Sequence, residues 1–153
     1  MLEFKPVTRQ NLKALIRLKV RPDQENLVAP NVYTLAEQAY EPNSAVFGLW
    51  NGDEAVGLLA MIDLERHPDP LLEGDVPQSA YLWRLLIDAK HQGKGYGRAA
   101  IEYAKSVTRE WGYSKLSCSV VDAENSNLKF YETVGFRLTG DKVEDELVIV
   151  MDV

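Results

Sequence analysis

A chain of 153 residues, 46% hydrophobic and 26% charged, is sized and composed for a single folded domain spanning residues 1–153. Its formal net charge of −6 argues against a nucleic-acid partner, because proteins that track phosphates carry a basic face. The single cysteine, Cys118, excludes an intrachain disulfide and a cysteine metal cluster, and no metal site is expected. An acidic surface concentrates cations, so a cationic small molecule suits this charge, though acidic proteins without such a partner are common. Met1 to Pro6 lacks the pattern of a secretion signal. No apolar run approaches the ~18 residues of a membrane span, so the expectation is a cytoplasmic protein with no membrane partner.

Leu2 to Val7 alternates apolar and polar residues as a short strand does. Thr8 suits a helix N-cap, and Leu12, Leu15, Ile16 and Val20 recur at helical spacing, so a helix is expected over Arg9 to Lys19. Pro22 and Pro30 bracket a break. Asn31 is expected to cap a second helix that runs to Ala39 and stops before Pro42. Ser44 to Trp50 and Ala55 to Leu64 read as strands joined at Asn51-Gly52-Asp53, a hairpin signal. Glu65 to Gln78, with three prolines and several acids, reads as a loop. Tyr81 to Asp88 is a strand, and Ala99 to about Trp111 a helix that Gly112 ends. Lys115 to Val121 is a strand and Asn125 to Val134 a short helix closed by Gly135. Phe136 to Leu138 and Leu147 to Val153 are terminal strands around an acidic turn at Gly140 to Asp145. The order predicts an α/β domain whose sheet mixes antiparallel hairpins with one parallel crossover.

Gln92-Gly93-Lys94-Gly95-Tyr96-Gly97 follows a strand and opens a helix. A helix start presents unpaired N–H groups and a positive dipole end, and glycines let an anion approach the backbone closely. Such a turn cradles a pyrophosphate, with Lys94 and Arg98 adding charge. It is not a Walker A loop, since Lys94 precedes Gly95 and not Ser or Thr. The glycines do not match the dinucleotide fingerprint cleanly either. A tight turn without a ligand remains the alternative.

Two motifs together resemble a known family, the GNAT (Gcn5-related) N-acetyltransferases. Gln92, Gly95 and Gly97 match its phosphate motif Gln/Arg-x-x-Gly-x-Gly/Ala, and Tyr131-Glu132-Thr133-Val134-Gly135-Phe136 matches its Tyr-x-x-x-Gly-Phe ending. The resemblance implies the GNAT fold: a mixed, mostly antiparallel seven-stranded sheet, splayed in a V between strands 4 and 5 and flanked by about four helices. It implies acetyl-coenzyme A as cosubstrate, with pantetheine paired to the backbone of Leu85, Leu86 and Ile87. The pyrophosphate would lie on Gln92, Gly93, Lys94, Gly95, Tyr96, Gly97 and Arg98. Tyr131 is the implied general acid toward the departing thiolate; an aromatic packed on the sheet is the alternative. Many members carry Asn seven residues before this tyrosine. Here Glu124 stands there, and Asn125 or Asn127, the latter taken as the contact residue, would replace it.

The stretches around Trp83, Gln92 and Leu27 to Tyr33 resemble the diamine or spermidine/spermine acetyltransferase branch of that family. The resemblance implies a small cationic amine as acceptor and allows a homodimer. Carboxylates to hold its ammonium groups are sought at Glu25, Glu37 and Glu41, and cation–π faces at Tyr33, Tyr81 and Trp83. Asp63, Glu65, Asp69, Glu73 and Asp75 are further acids near the third strand-like run. Each of these fits a solvated surface or core position as well. No general base stands out. His91 is beside the phosphate turn, His67 sits in a loop expected to be exposed, and Cys118 reads as a buried strand thiol. Another amine acceptor, or a coenzyme A-binding module without catalysis, are the competing readings.

Overall fold

Alternating and continuous apolar runs build the sheet before anything else does. The computed structural model describes residues 1–153, with strands β1 (Leu2–Pro6), β2 (Ser44–Asn51), β3 (Glu54–Asp63), β4 (Ala80–Ile87), β5 (Lys115–Val121), β6 (Arg137–Val143) and β7 (Glu146–Asp152). Their order across the sheet is β1-β2-β3-β4-β5-β7-β6, antiparallel everywhere except between β4 and β5. The run from Ala55 to Asp63 is buried without interruption because helices cover both faces of β3. One face carries α3 (Tyr96–Glu110) and α4 (Leu128–Thr133), packed on Leu49, Leu59, Leu82, Leu116, Cys118 and Ile149. Ala100, Ile101, Ala104, Val107 and Thr108 form the buried stripe of α3, at the spacing of one helix face. The other face carries α1 (Leu12–Ile16) and α2 (Asn31–Glu37), with Leu15 packed among Val46, Trp50, Leu58 and Leu86.

The expected helix over Arg9 to Lys19 is regular only within α1. Thr8 and Asn11 cap each other reciprocally, at 2.7 and 3.2 Å, and delay its start. At the far end Lys19 leaves the helix ladder: its N–H donates to Asp88 Oδ1 at 2.9 Å and its carbonyl accepts from Ala89 N at 2.8 Å. Asn31 does not cap α2. Its buried amide donates to the Leu15 carbonyl at 2.9 Å and ties α2 to α1. The expected acidic turn over Gly140 to Asp145 shrinks to Glu144 and Asp145, with φ of 50° and 67°. Gly140 falls in an irregular stretch of β6, between the pairs at Leu138 and Lys142. The helix expected over Asn125 to Val134 is regular only over α4, because Asn125 is bonded elsewhere.

The feature that positions a site is the parting of β4 from β5. They pair only at Ala80–Leu116, Tyr81–Ser117 and Leu82–Cys118. Immediately beyond, Trp83 is the extra residue of a bulge against β3, between Ala60 and Met61. A bulge bends its strand, and β4 swings away from β5 from that residue on. The expected V-shaped splay is present.

Candidate active site

Two cavities meet inside the V. The first, of about 410 Å³, lies at the α3 end of β4 and is lined by Leu85, Ile87, Gly93, Gly95, Gly97 and Arg98. The second, of about 370 Å³, is lined by Glu25, Tyr81, Trp83, Ser119, Glu144 and Glu146. Leu27, Val28, Leu85, Asn127 and Tyr131 line both.

The first cavity owes its anion-binding end to backbone. Gly93 and Gly95 have φ of 76° and 84°, and a Cβ at either would meet no atom within 4 Å. The conformation, and not crowding, demands glycine there, and open space lies over the turn. Gly97 is small for another reason, since its Cβ would lie 3.0 Å from the Phe130 ring. The first helical bond at this end runs from Ala99 N to Gly95 O, so the preceding N–H groups at the start of α3 have no partner in their own helix. Arg98 reaches this cavity; Lys94 is not among the residues lining it. These are the features a pyrophosphate requires.

Backbone alternation divides the three β4 residues expected to hold pantetheine. Asp88 N donates to Val56 O across the β3 pair, so Leu86, two residues earlier, also faces β3. Its side chain is 3% exposed on the α1 face. Leu85 and Ile87 therefore turn their peptide groups toward the cleft, while Leu86 does not. Gln92 is committed within the protein: its amide donates to Ile87 O at 3.0 Å and Gln24 Oε1 at 2.9 Å, and accepts from Arg21 at 2.7 Å. A second amide pair, Asn26 with Asn125 at 2.9 and 3.0 Å, fastens the same α1–α2 segment on the other side of the cleft. Asn125 also donates to Asp23 O at 2.8 Å, and Glu124 is exposed. Of the three alternatives only Asn127 lines the cavities.

Tyr131 is 5% exposed, held edge-on between Phe130 and Phe136 at 5.1 and 5.5 Å. Burial first, then the neighbouring Cys118 and Tyr81, raise its phenol well above the ordinary range. Burial also pushes the Cys118 thiol up to about 12, and its Sγ donates to the Ser119 carbonyl at 3.5 Å, as a buried structural thiol does.

Several expected acceptor residues are elsewhere. Tyr33 is 60% exposed and lines neither cavity. Glu37 is paired with Arg84 at 2.9 Å, and Glu41 with His67 at 2.7 Å, so neither carboxylate is available and His67 is half-buried, not exposed. Trp83 does line the second cavity, but Arg84 stacks on its ring at 4.6 Å. Asp63 accepts from Tyr113 at 2.7 Å, and Asp75 from Leu72 N at 2.7 Å, both structural. Glu25 and Tyr81 line the cavity as expected. His91 lines the first cavity beside Glu54, away from the second. Glu144, Glu146 and Ser119 were hidden to sequence reasoning: the β5–β7 register brings Ser119 and Glu146 together, and the turn before β7 brings Glu144 to the same cavity.

A family model described as the acetyltransferase (GNAT) family matches residues 12–136. The chain belongs to the GNAT family. The GNAT motif pair thus occupies the two walls of the V, Gln92 to Gly97 opening α3 and Tyr131 to Phe136 on and after α4. Among GNAT structures, an acetyltransferase from Thermus thermophilus is 25% identical over 100% of this chain and 97% of its own, with a TM-score of 0.77. The PaiA N-acetyltransferase of Thermoplasma acidophilum, solved in complex with coenzyme A, shares the fold at 12% identity and a TM-score of 0.68, over 100% and 99% of the two chains. Among curated relatives, the uncharacterized N-acetyltransferase YlbP of Bacillus subtilis is 26% identical over 71% of this chain and 65% of its own length. Human N-acetyltransferase 8B is 25% identical over 58% of this chain and 36% of its own. The matches therefore span less than two thirds of either curated relative. No helix is long and apolar enough to cross a membrane.

Proposed function

We propose that this GNAT protein transfers an acetyl group from acetyl-coenzyme A to a primary amine of a small cationic acceptor, a polyamine or diamine such as spermidine or spermine, by direct attack in a ternary complex. The observation that carries the reading is Tyr131, buried where the two cavities meet and lining both. The cleft-facing peptides of Leu85 and Ile87, the amides from Gly93 to Arg98 and the side chain of Asn127 would hold the cosubstrate. Acetyl-coenzyme A supplies an activated carbonyl and a thiolate leaving group. Tyr131 keeps its proton throughout the working pH range, its phenol lying well above the usual value. Burial disfavours the phenolate, so Tyr131 holds its proton until negative charge develops beside it. Tyr131 therefore acts first as a hydrogen-bond donor to charge developing on sulfur, and its proton moves fully only as the amine loses its own.

The acceptor class rests on charge. Glu25, Glu144 and Glu146 face the second cavity, whose one lining cation, Arg84, is already neutralised by Glu37. That balance favours an acceptor with ammonium groups beyond the reacting one. A cytoplasmic setting, and a second copy paired along the open edge of β6, complete the proposal. Incubation with acetyl-coenzyme A and a panel of spermidine, spermine, putrescine, amino acids and peptides, read by thiol release, tests it. Release with polyamines supports the reading. Release only with amino acids or peptides overturns the acceptor, and coenzyme A binding without release from any amine overturns the enzyme.

A further inference from the structure

The acceptor cavity contains a hydrogen-bonded row to which the transfer described above gives no part in moving a proton. Tyr81 Oη lies 2.6 Å from Ser119 Oγ, which lies 2.8 Å from Glu146 Oε1. Three strands supply it, and all three residues line the cavity. Tyr81 is in register with Ser117, so it leans one pleat along β5 to reach Ser119; Ser119 is in register with Val148, which sets Glu146 diagonally on the same face. That face is opposite to the one covered by α3 and α4, since Leu116, Cys118 and Val120 pack on the helices. Tyr131 and this row therefore approach the V from opposite sides of the sheet.

The direction of the row follows from its donors. An ionised carboxylate only accepts, and a serine hydroxyl has one proton. Ser119 gives that proton to Glu146, so Tyr81 must donate to Ser119. The remaining lone pairs of Tyr81 Oη are then free to accept.

Resting on the transferase reading, we propose that Tyr81, Ser119 and Glu146 form the proton exit for the acceptor ammonium, with Glu146 as its outer end. An N–H of the ammonium donates to Tyr81 Oη. As that N–H bond breaks, Tyr81 passes its own proton to Ser119 Oγ, and Ser119 passes its proton to Glu146 Oε1. Tyr81 and Ser119 end neutral as they began, and Glu146 becomes a carboxylic acid. The nitrogen keeps the electron pair that attacks the thioester carbonyl. Glu146 is half-exposed and releases the proton to solvent.

The need for such an exit is quantitative. An alkyl amine with a pKa near ~10 is neutral in only about one molecule per thousand at pH 7. A site that bound only the neutral form would be limited by that fraction. Tyr81 cannot substitute by ionising first, because burial above all, then Cys118, raises its phenol beyond the ordinary range. The charged and titratable groups around it are Cys118 from β5, Glu146 from β7 and Asp75 from the loop before β4, with Tyr131 of α4 across the cleft. Glu25, Arg84 and Glu144 complete the charged lining. Among the carboxylates only Glu146 is bonded into the row; Asp75 is engaged by Leu72 N.

The test compares two acceptors, spermidine, which is cationic at pH 7, and trifluoroethylamine, which is neutral there. Glu146→Gln should lower kcat/KM for spermidine at pH 7 about 10²–10³-fold, with the deficit shrinking about tenfold per pH unit as the amine deprotonates. Its ratio to the native rate with trifluoroethylamine should stay within about twofold. Tyr81→Phe and Ser119→Ala should show the same selectivity, Ser119→Thr should restore activity, and Asp75→Asn should change neither acceptor. Coenzyme A binding and the thermal midpoint, measured alongside, report folding. Equal losses with both acceptors, or full activity of Ser119→Ala on spermidine, overturn the relay while leaving the transferase reading intact. Absence of thiol release by the native protein with either amine removes the transferase reading, and the relay with it.

Discussion

The two cavities are built on different principles. The coenzyme side draws most of its polar groups from one local stretch, His91 to Arg98, with Leu85, Ile87, Asn127 and Phe130 around it. The acceptor side is made of side chains from segments far apart in the chain: Glu25, Tyr81, Ser119 and Glu146. Backbone geometry tolerates many sequences provided the glycines remain, whereas a side-chain site changes with every substitution. One molecule thus joins a general half, suited to a common cosubstrate, to a particular half that sets the acceptor.

Substitutions should separate the halves, and the one at their junction should have the greatest effect. Tyr131→Phe should lower kcat by about 10²–10⁴ while coenzyme A affinity, measured by calorimetry, stays nearly constant, because the hydroxyl acts on charge that develops during reaction. Equal loss of affinity would mean that the ring only packs. On the coenzyme side, Gly95→Ala forces a side chain into φ of 84°. The strain of about 1–2 kcal/mol should raise KM for acetyl-coenzyme A roughly tenfold and leave KM for the amine alone. On the acceptor side, Glu25→Gln and Glu144→Gln should each raise KM for spermidine about two- to fivefold, an effect that weakens with added salt. A matching rise in KM for acetyl-coenzyme A would show that the halves are not separate.

The same division explains what the sequence makes legible. Gln92 to Gly97 and Tyr131 to Phe136 are local patterns, and β5 matches its expected bounds of Lys115 and Val121 because its burial is written in adjacent residues. The general half is therefore readable in order along the chain. The particular half is not. Nothing near Glu37 reveals that Arg84 will neutralise it, and nothing near Glu41 reveals His67. Glu146 falls between the expected turn and the expected last strand, with nothing local to mark it, until β7 inserts between β5 and β6 and brings it to Ser119. Asn31 is a similar case, a good local cap whose amide finds a better partner in the buried Leu15 carbonyl.

The segment between α1 and α2 has a consequence for how the two ligands sense each other. It is fastened at Gln24 to Gln92 and at Asn26 to Asn125, and just beyond these ties Leu27 and Val28 line both cavities. Any ligand that shifts Leu27 or Val28 reshapes the wall the other ligand meets. Thermodynamic reciprocity then requires the amine to alter coenzyme affinity by the same factor as the coenzyme alters amine affinity. Neutral amide ties leave that coupling largely indifferent to salt, so it should persist where the purely ionic attraction of the acidic cavity has faded.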